Sequence, residues 1–188
     1  MINTKRFFLG LGLAALTLGA GPCPGRVTGG GILGGLNGRD TIAVTGDSCG
    51  ATTKGEFEYV AHVSEVKMHG DVVGVTQCVA TGVDQNGNLI TTCPQCQALS
   101  TLLNPSGQTF GLGAADFEVD VSYRSTNPAF PGNGQALACV SDNGQGSKST
   151  GPDVAFVQVV SGPFAGYTNF GDVQGNIQHH KCKSGNSF

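Results

Sequence analysis

The stretch that decides the fold reads Asp116-Phe117-Glu118-Val119-Asp120-Val121-Ser122-Tyr123. Every second residue in it is apolar, and these residues are Phe117, Val119, Val121 and Tyr123. Successive side chains of a strand point to opposite faces of a sheet, so this alternation predicts a half-buried β-strand. On this interpretation Asp116, Glu118 and Asp120 face water.

Similar patterns occur on both sides of that stretch. Residues 56–68 alternate in the same way, and their apolar series is Phe57, Tyr59, Ala61 and Val63. Further strands are predicted at 71–81, 135–141 and 153–161, and one short helix at 94–103 between two prolines. Short strands separated by Gly, Asn and Pro are typical of an antiparallel β-sandwich or barrel.

Composition narrows the class of protein. Glycine supplies 31 of 188 residues, more than twice its usual share of roughly 7%, which suits a fold with many tight turns. Ten Lys and Arg stand against thirteen Asp and Glu, a net charge of −3. This balance lacks the basic footprint of a nucleic-acid-binding protein, so we expect no nucleic-acid partner.

The first residues resemble a secretory signal peptide. Lys5 and Arg6 precede an apolar run at residues 7–18, and the small residues 19–21 follow it. The run is shorter than the ~20 residues of a transmembrane helix, and no later stretch is longer. We therefore predict a signal peptide at 1–21, one β-domain at 22–188, and a secreted, extracellular or cell-envelope location.

Seven cysteines bear on this location. Cys23 stands where a bacterial lipoprotein carries its acylated cysteine, although Pro22 occupies the place of the usual small residue. In an oxidising compartment the other six are predicted to form disulfides, which sequence alone could pair in fifteen ways. These candidates are Cys49, Cys78, Cys93, Cys96, Cys139 and Cys182.

One disulfide follows from a predicted hairpin. Residues 84–88 form a strong turn signal that contains Asn86-Gly87, a pair suited to a type I′ turn. Cys78 lies before this turn, and Cys93 and Cys96 lie after it. We predict that Cys78 bonds to one of these two. Cys93 is favoured, because it stands opposite Cys78 if Gln85 and Asn86 are the two central residues of the turn.

Two sets of residues are candidate metal ligands. Hard oxygen donors suit calcium, and a polar loop near the C-terminal third supplies Asp142, Asn143 and Asp153. Thiolates and imidazoles suit zinc, and a C-x-x-C together with the C-terminal strand supplies Cys93, Cys96, His179 and Cys182. Asx turns compete with the calcium interpretation, and disulfide formation competes with the zinc interpretation. We expect no cofactor other than calcium.

Catalytic signals are weak. His62 and His69 lie near the carboxylates of Glu65 and Asp71, which would allow an exported hydrolase. The sequence has no H-E-x-x-H motif. The favoured interpretation is therefore a structural or adhesion-type binding protein rather than an enzyme, and the hydrolase is the alternative.

Several short motifs follow one another along the chain at residues 26–32, 54–62, 66–70, 140–144, 162–169 and 175–181. In that order they resemble the post-COAP family of bacterial secreted domains. The similarity covers about 26–82 and 136–183, and the region at about 83–135 reads as an insertion or extension. The resemblance implies a β-rich extracellular module with no established activity, whose partner would be an unidentified surface or matrix component.

Overall fold

A computed structural model describes residues 25–35, 38–103, 115–144 and 151–182. The predicted signal peptide and Cys23 lie outside the described residues. The described chain forms ten strands and one helix. They are β1 (Arg26–Gly35), β2 (Gly38–Asp47), β3 (Lys54–Ala61), β4 (Lys67–Cys78), β5 (Ala80–Val83), β6 (Leu89–Thr91), α1 (Pro94–Leu103), β7 (Asp116–Ser125), β8 (Asn133–Ser141), β9 (Val154–Val159) and β10 (Thr168–His180).

Eight of the strands close into a barrel. Their order around it is β1-β2-β3-β4-β7-β8-β9-β10, and β10 pairs with β1 to complete the ring. All neighbouring strands are antiparallel, so the chain runs up and down around the barrel. The predicted antiparallel β-fold is confirmed, and its form is a barrel. No helix within the described ranges is long and apolar enough to cross a membrane.

The barrel interior is packed with side chains. Phe117, Val119, Val121 and Tyr123 lie in this core, as their alternation predicts. Phe57, Tyr59 and Ala61 also lie there, but Val63 is 75% exposed. β3 ends at Ala61 and the chain turns, with Glu65 at φ 57°, before β4 begins. The single strand predicted over 56–68 is therefore two strands and the turn between them.

The segment between β4 and β7 covers part of the outer wall. β5 and β6 form a separate hairpin, and α1 packs on the outside of β8 and β9. The buried apolar residues on this outer side are Cys78, Cys93, Cys96, Leu99, Leu137, Cys139, Val154 and Phe156. The described residues 79–103 contribute no strand to the barrel, whereas β7 and the start of β8 fall within the predicted 83–135.

This cover explains why two acidic residues of β7 do not face water. Asp116 and Glu118 are buried on the outer side of the strand, whereas Asp120 is exposed as predicted. Asp116 accepts a hydrogen bond from Ser141 at 2.6 Å. Glu118 accepts one from the backbone N–H of Cys96 at 3.2 Å, in the first turn of α1. Burial raises the pKa of Glu118, and the hydrogen bond from the backbone of Cys96 partly opposes that shift.

The opposite part of the barrel is built on glycine. β1 approaches β10 so closely that a Cβ atom on Gly31 would lie 2.5 Å from the carbonyl oxygen of Gln174. A Cβ on Gly175 would lie 2.1 Å from that of Gly30, and one on Gly171 1.7 Å from that of Gly34. The glycines at these positions therefore permit the close contact through which the barrel closes.

Candidate functional site: a basic cleft at the base of the barrel

The base of the barrel is the end at which β2 and β10 finish and β1 begins. In the strand registers Arg26 of β1 pairs with Asp47 of β2 on one side and with His180 of β10 on the other. Facing residues of an antiparallel pair project to the same side of the sheet. Because Val27 is in the core, Arg26 and its two partners lie on the outer side of the wall.

A cleft of about 610 Å³ opens beside this row. Its lining comprises Arg26, Asp47, Cys49, Gly50, His179, His180, Lys181 and Cys182. The cleft is larger than a groove of about 340 Å³ on the outer face between β4 and β8, and its volume falls in the usual range of ligand pockets.

Three contacts fix the positions of the cleft residues. Cys49 and Cys182 form a disulfide that joins the chain after β2 to the chain after β10. Arg26 Nε lies 3.6 Å from Asp47 Oδ2, and both side chains are partly exposed. His180 Nε2 lies 2.7 Å from Thr28 Oγ1. The cleft wall is therefore covalently closed and its imidazole is held in place.

His179 belongs to the inner edge of the same cleft. It alternates with His180, and its ring packs against Phe117 with the ring centroids 5.4 Å apart. Its backbone N–H donates to Asp142 Oδ2 at 2.8 Å. Burial lowers the pKa of His179, an effect that the negative charge of Asp142 opposes. The His179 ring is therefore harder to protonate than an ordinary histidine.

The candidate calcium residues are close together, and their oxygens accept hydrogen bonds. Asp153 accepts from the backbone of Asn143 at 2.9 Å and of Ile177 at 2.6 Å. Asp142 accepts from Gly144 at 2.9 Å as well as from His179. These hydrogen bonds engage the carboxylates with backbone N–H groups, as in the Asx turns that are the alternative to calcium binding. No cluster of three or more His, Cys, Asp or Glu suited to a metal occurs in the described part of the chain.

The six candidate cysteines form three disulfides, which are typical of an oxidising, extracellular environment. They are Cys49–Cys182, Cys78–Cys93 and Cys96–Cys139. Cys78–Cys93 is the pairing that the hairpin favours. The candidate zinc set of Cys93, Cys96, His179 and Cys182 is divided, because its three cysteines bond to three different partners. Their sulfurs therefore do not act together as thiolate ligands.

The candidate catalytic histidines lie away from the cleft. His69 is exposed on the outside of β4, where its register partners are Glu58 and Arg124. His62 and Glu65 are exposed in the turn after β3, and Asp71 is exposed on β4. The structure therefore places these four side chains on the outer surface rather than in the packed interior.

One polar cluster inside the barrel was not predicted. Near the end opposite the base, Asp40 Oδ2 accepts hydrogen bonds from Tyr59 at 2.6 Å, Tyr167 at 2.8 Å and Asn169 at 2.7 Å. Burial, and then the hydrogen bond to Asp40, raise the pKa of Tyr59. Since Asp40 is on β2 and Asn169 on β10, the cluster links the two strands that flank β1.

Comparisons with known proteins identify no relative. No protein-family model, no curated protein and no solved structure matches the chain.

Proposed function

We propose that this chain is an exported binding module of the post-COAP type, which holds a component of the bacterial surface or matrix in its basal cleft. The observation that carries the proposal is the cleft itself, an open space of about 610 Å³ whose wall is closed by the Cys49–Cys182 disulfide. A rigid, preformed surface loses little conformational entropy on binding.

Binding is favoured over catalysis because of where the polar side chains lie. The interior is filled by apolar and aromatic residues, and Asp40 Oδ2 is already engaged there by Tyr59 and Asn169. A ligand would therefore meet the outer surface and the barrel ends, where concave surface is provided by the basal cleft.

A cleft-filling variant tests the proposal. Gly50 lines the cleft, and a Cβ on it would meet no atom within 4 Å, so Gly50→Trp should fill the cleft without disturbing the fold. Gly82→Trp in the exposed β5–β6 hairpin is the matched control, because it also has open space. The oxidised protein would be screened against glycans and other bacterial surface components.

We expect at least one component to bind the wild-type protein and the Gly82→Trp variant, and to bind Gly50→Trp at least tenfold more weakly. If no component binds, or if every bound component tolerates Gly50→Trp, the proposed function is wrong.

A further inference from the structure

Positive charge is concentrated in the basal cleft of a protein that is acidic overall. The chain carries a net charge of −3, yet the cleft combines Arg26 and Lys181 with two imidazoles and one carboxylate, Asp47. These groups converge from β1, β2 and the end of β10 because the barrel closes there. Burial opposes charging of His179, but His180 stands in the outer row beside Arg26.

We infer that the basal cleft is an oxyanion site, which takes a sulfate, phosphate or carboxylate group of the ligand. This inference rests on the proposed function, because it gives the ligand chemistry of the same cleft. Arginine presents its N–H donors in a planar fork that matches such oxygens, and lysine adds a mobile ammonium group.

The contact between Arg26 and Asp47 leaves room for this role. At 3.6 Å it is longer than the ~2.7–2.9 Å of a strong charge-assisted hydrogen bond, and it runs through Nε. Asp47 also accepts the backbone N–H of Cys49 at 2.9 Å, which holds the carboxylate at the cleft edge. Asp47 therefore orients the guanidinium without fully neutralising it.

The lining also favours an ionic group over a sugar face or an apolar chain. Apart from its imidazoles, the described lining has no aromatic ring on which a sugar could stack. His180, whose Nε2 lies 2.7 Å from Thr28 Oγ1, adds an oriented imidazole. The site thus combines the positive charges of Arg26 and Lys181 with the oriented imidazole of His180.

Titrations with inorganic sulfate, inorganic phosphate and acetate test the inference. Each would be added to the oxidised full chain at constant ionic strength, with chloride as the reference, while amide NMR signals are followed. The Arg26→Gln/Lys181→Gln variant removes both fixed charges of the cleft. Lys67→Gln/Arg124→Gln is the matched control, since it removes two exposed positive charges from β4 and β7.

We expect saturable shifts of the amides at Arg26, Asp47 and residues 180–182 with at least one oxyanion. The cleft variant should weaken this binding at least tenfold, and the control less than twofold. The three anions distinguish tetrahedral from planar groups. Absence of saturable binding, or equal weakening in the two variants, would overturn the inference.

The surface-component screen separates the two proposals. If a component binds in the cleft but ignores all three anions and the loss of Arg26 and Lys181, the oxyanion inference fails and the binding function stands. If the anions bind in the cleft but no surface component does, the oxyanion site stands and the proposed function fails.

Discussion

Two walls of the same barrel are stabilised in different ways. The covered wall consists of β7, β8 and β9 with α1 on its outside, and β9 and residues 136–141 of β8 are buried almost continuously. The seam wall consists of β10, β1 and β2, and no other element among the described residues covers its outer face. The covered wall is held by apolar burial on both faces, and the seam wall by close backbone approach and by ties at its two ends.

Both ties of the seam wall cross β1. Cys49–Cys182 joins the chain after β2 to the chain after β10 at the base, and Asp40 joins Asn169 between the same strands near the other end. A strand rich in glycine has few side chains with which to bury apolar surface. The disulfide and the Asp40–Asn169 hydrogen bond therefore stabilise the seam wall, and the cleft lies beside the disulfide at its base.

The largest expected effect is loss of the basal tie. The Cys49→Ser/Cys182→Ser variant opens a loop with a sequence separation of 133 residues, and the chain-entropy estimate gives a loss of about 5 kcal/mol in the free energy of unfolding. Urea denaturation of oxidised wild type and variant measures it.

Selective reduction gives a second test of the same tie. Cys49 and Cys182 are only half-buried, whereas the other four bonded cysteines are at most 3% exposed. Mild reductant followed by alkylation and mass spectrometry should modify Cys49 and Cys182 first. Earlier reduction of either buried disulfide would show that the base of the seam wall is not the more accessible part.

The next effect concerns close strand approach. Gly31→Ala places a Cβ 2.5 Å from a backbone oxygen of β10, so the strands must move apart at a cost of about 3 kcal/mol. Gly34→Ala is the matched control on the same strand, because a Cβ there would meet no atom within 4 Å. Gly34→Ala should be neutral or slightly stabilising. Equal unfolding midpoints in urea for the two variants would contradict the proposed role of glycine in barrel closure.

The covered wall should respond to a loss of apolar volume instead. Leu99 of α1 is 7% exposed in the cluster on the outside of the barrel, and Leu102 of the same helix is 79% exposed. Leu99→Ala should lower the free energy of unfolding by about 2 kcal/mol, and Leu102→Ala should change it little. Urea denaturation of the two variants measures this difference. A similar loss in both would show that packing of α1 does not stabilise this wall.

The sequence predicts the covered wall better than the seam wall. The alternation in β7, the valine-rich β9 and the helix at 94–103 are local patterns, and each forms the expected element. What the local pattern could not reveal is that α1 folds back over β8 and β9. The burial of Asp116 and Glu118 was missed for this reason.

The candidate site lies beyond local patterns altogether. Arg26 and His180 become neighbours only because the first strand pairs with the last. The glycine-rich sequence of β1 has no alternation of apolar and polar residues from which a strand could be predicted. The hairpin shows the same limit on a smaller scale. Asn86-Gly87 marks a turn, but among the described non-glycine residues only Glu65 has a positive φ, so Asn86 does not adopt the type I′ conformation.

The smallest expected effect is a pH dependence at the base of the seam wall. Burial beside Phe117 lowers the pKa of His179 below its ordinary 6.5. His180 and Lys181 act in the same direction, and Asp142 opposes them. The unfolded chain therefore takes up a proton at His179 at a higher pH than the folded chain does. The free energy of unfolding should fall as pH decreases through 6.5.

Replacement of His179 should reduce that slope. Urea midpoints measured between about pH 8 and pH 5.5, a window that spans the ordinary histidine pKa, should fall less for His179→Gln than for wild type. His69→Asn is the control, because it removes an exposed histidine from the outside of β4 and should keep the wild-type slope. The ring of His179 remains partly accessible to water, which screens charge, so only a modest difference is expected. If His179→Gln and wild type have the same slope, burial at the inner edge of the cleft does not control the protonation of this residue.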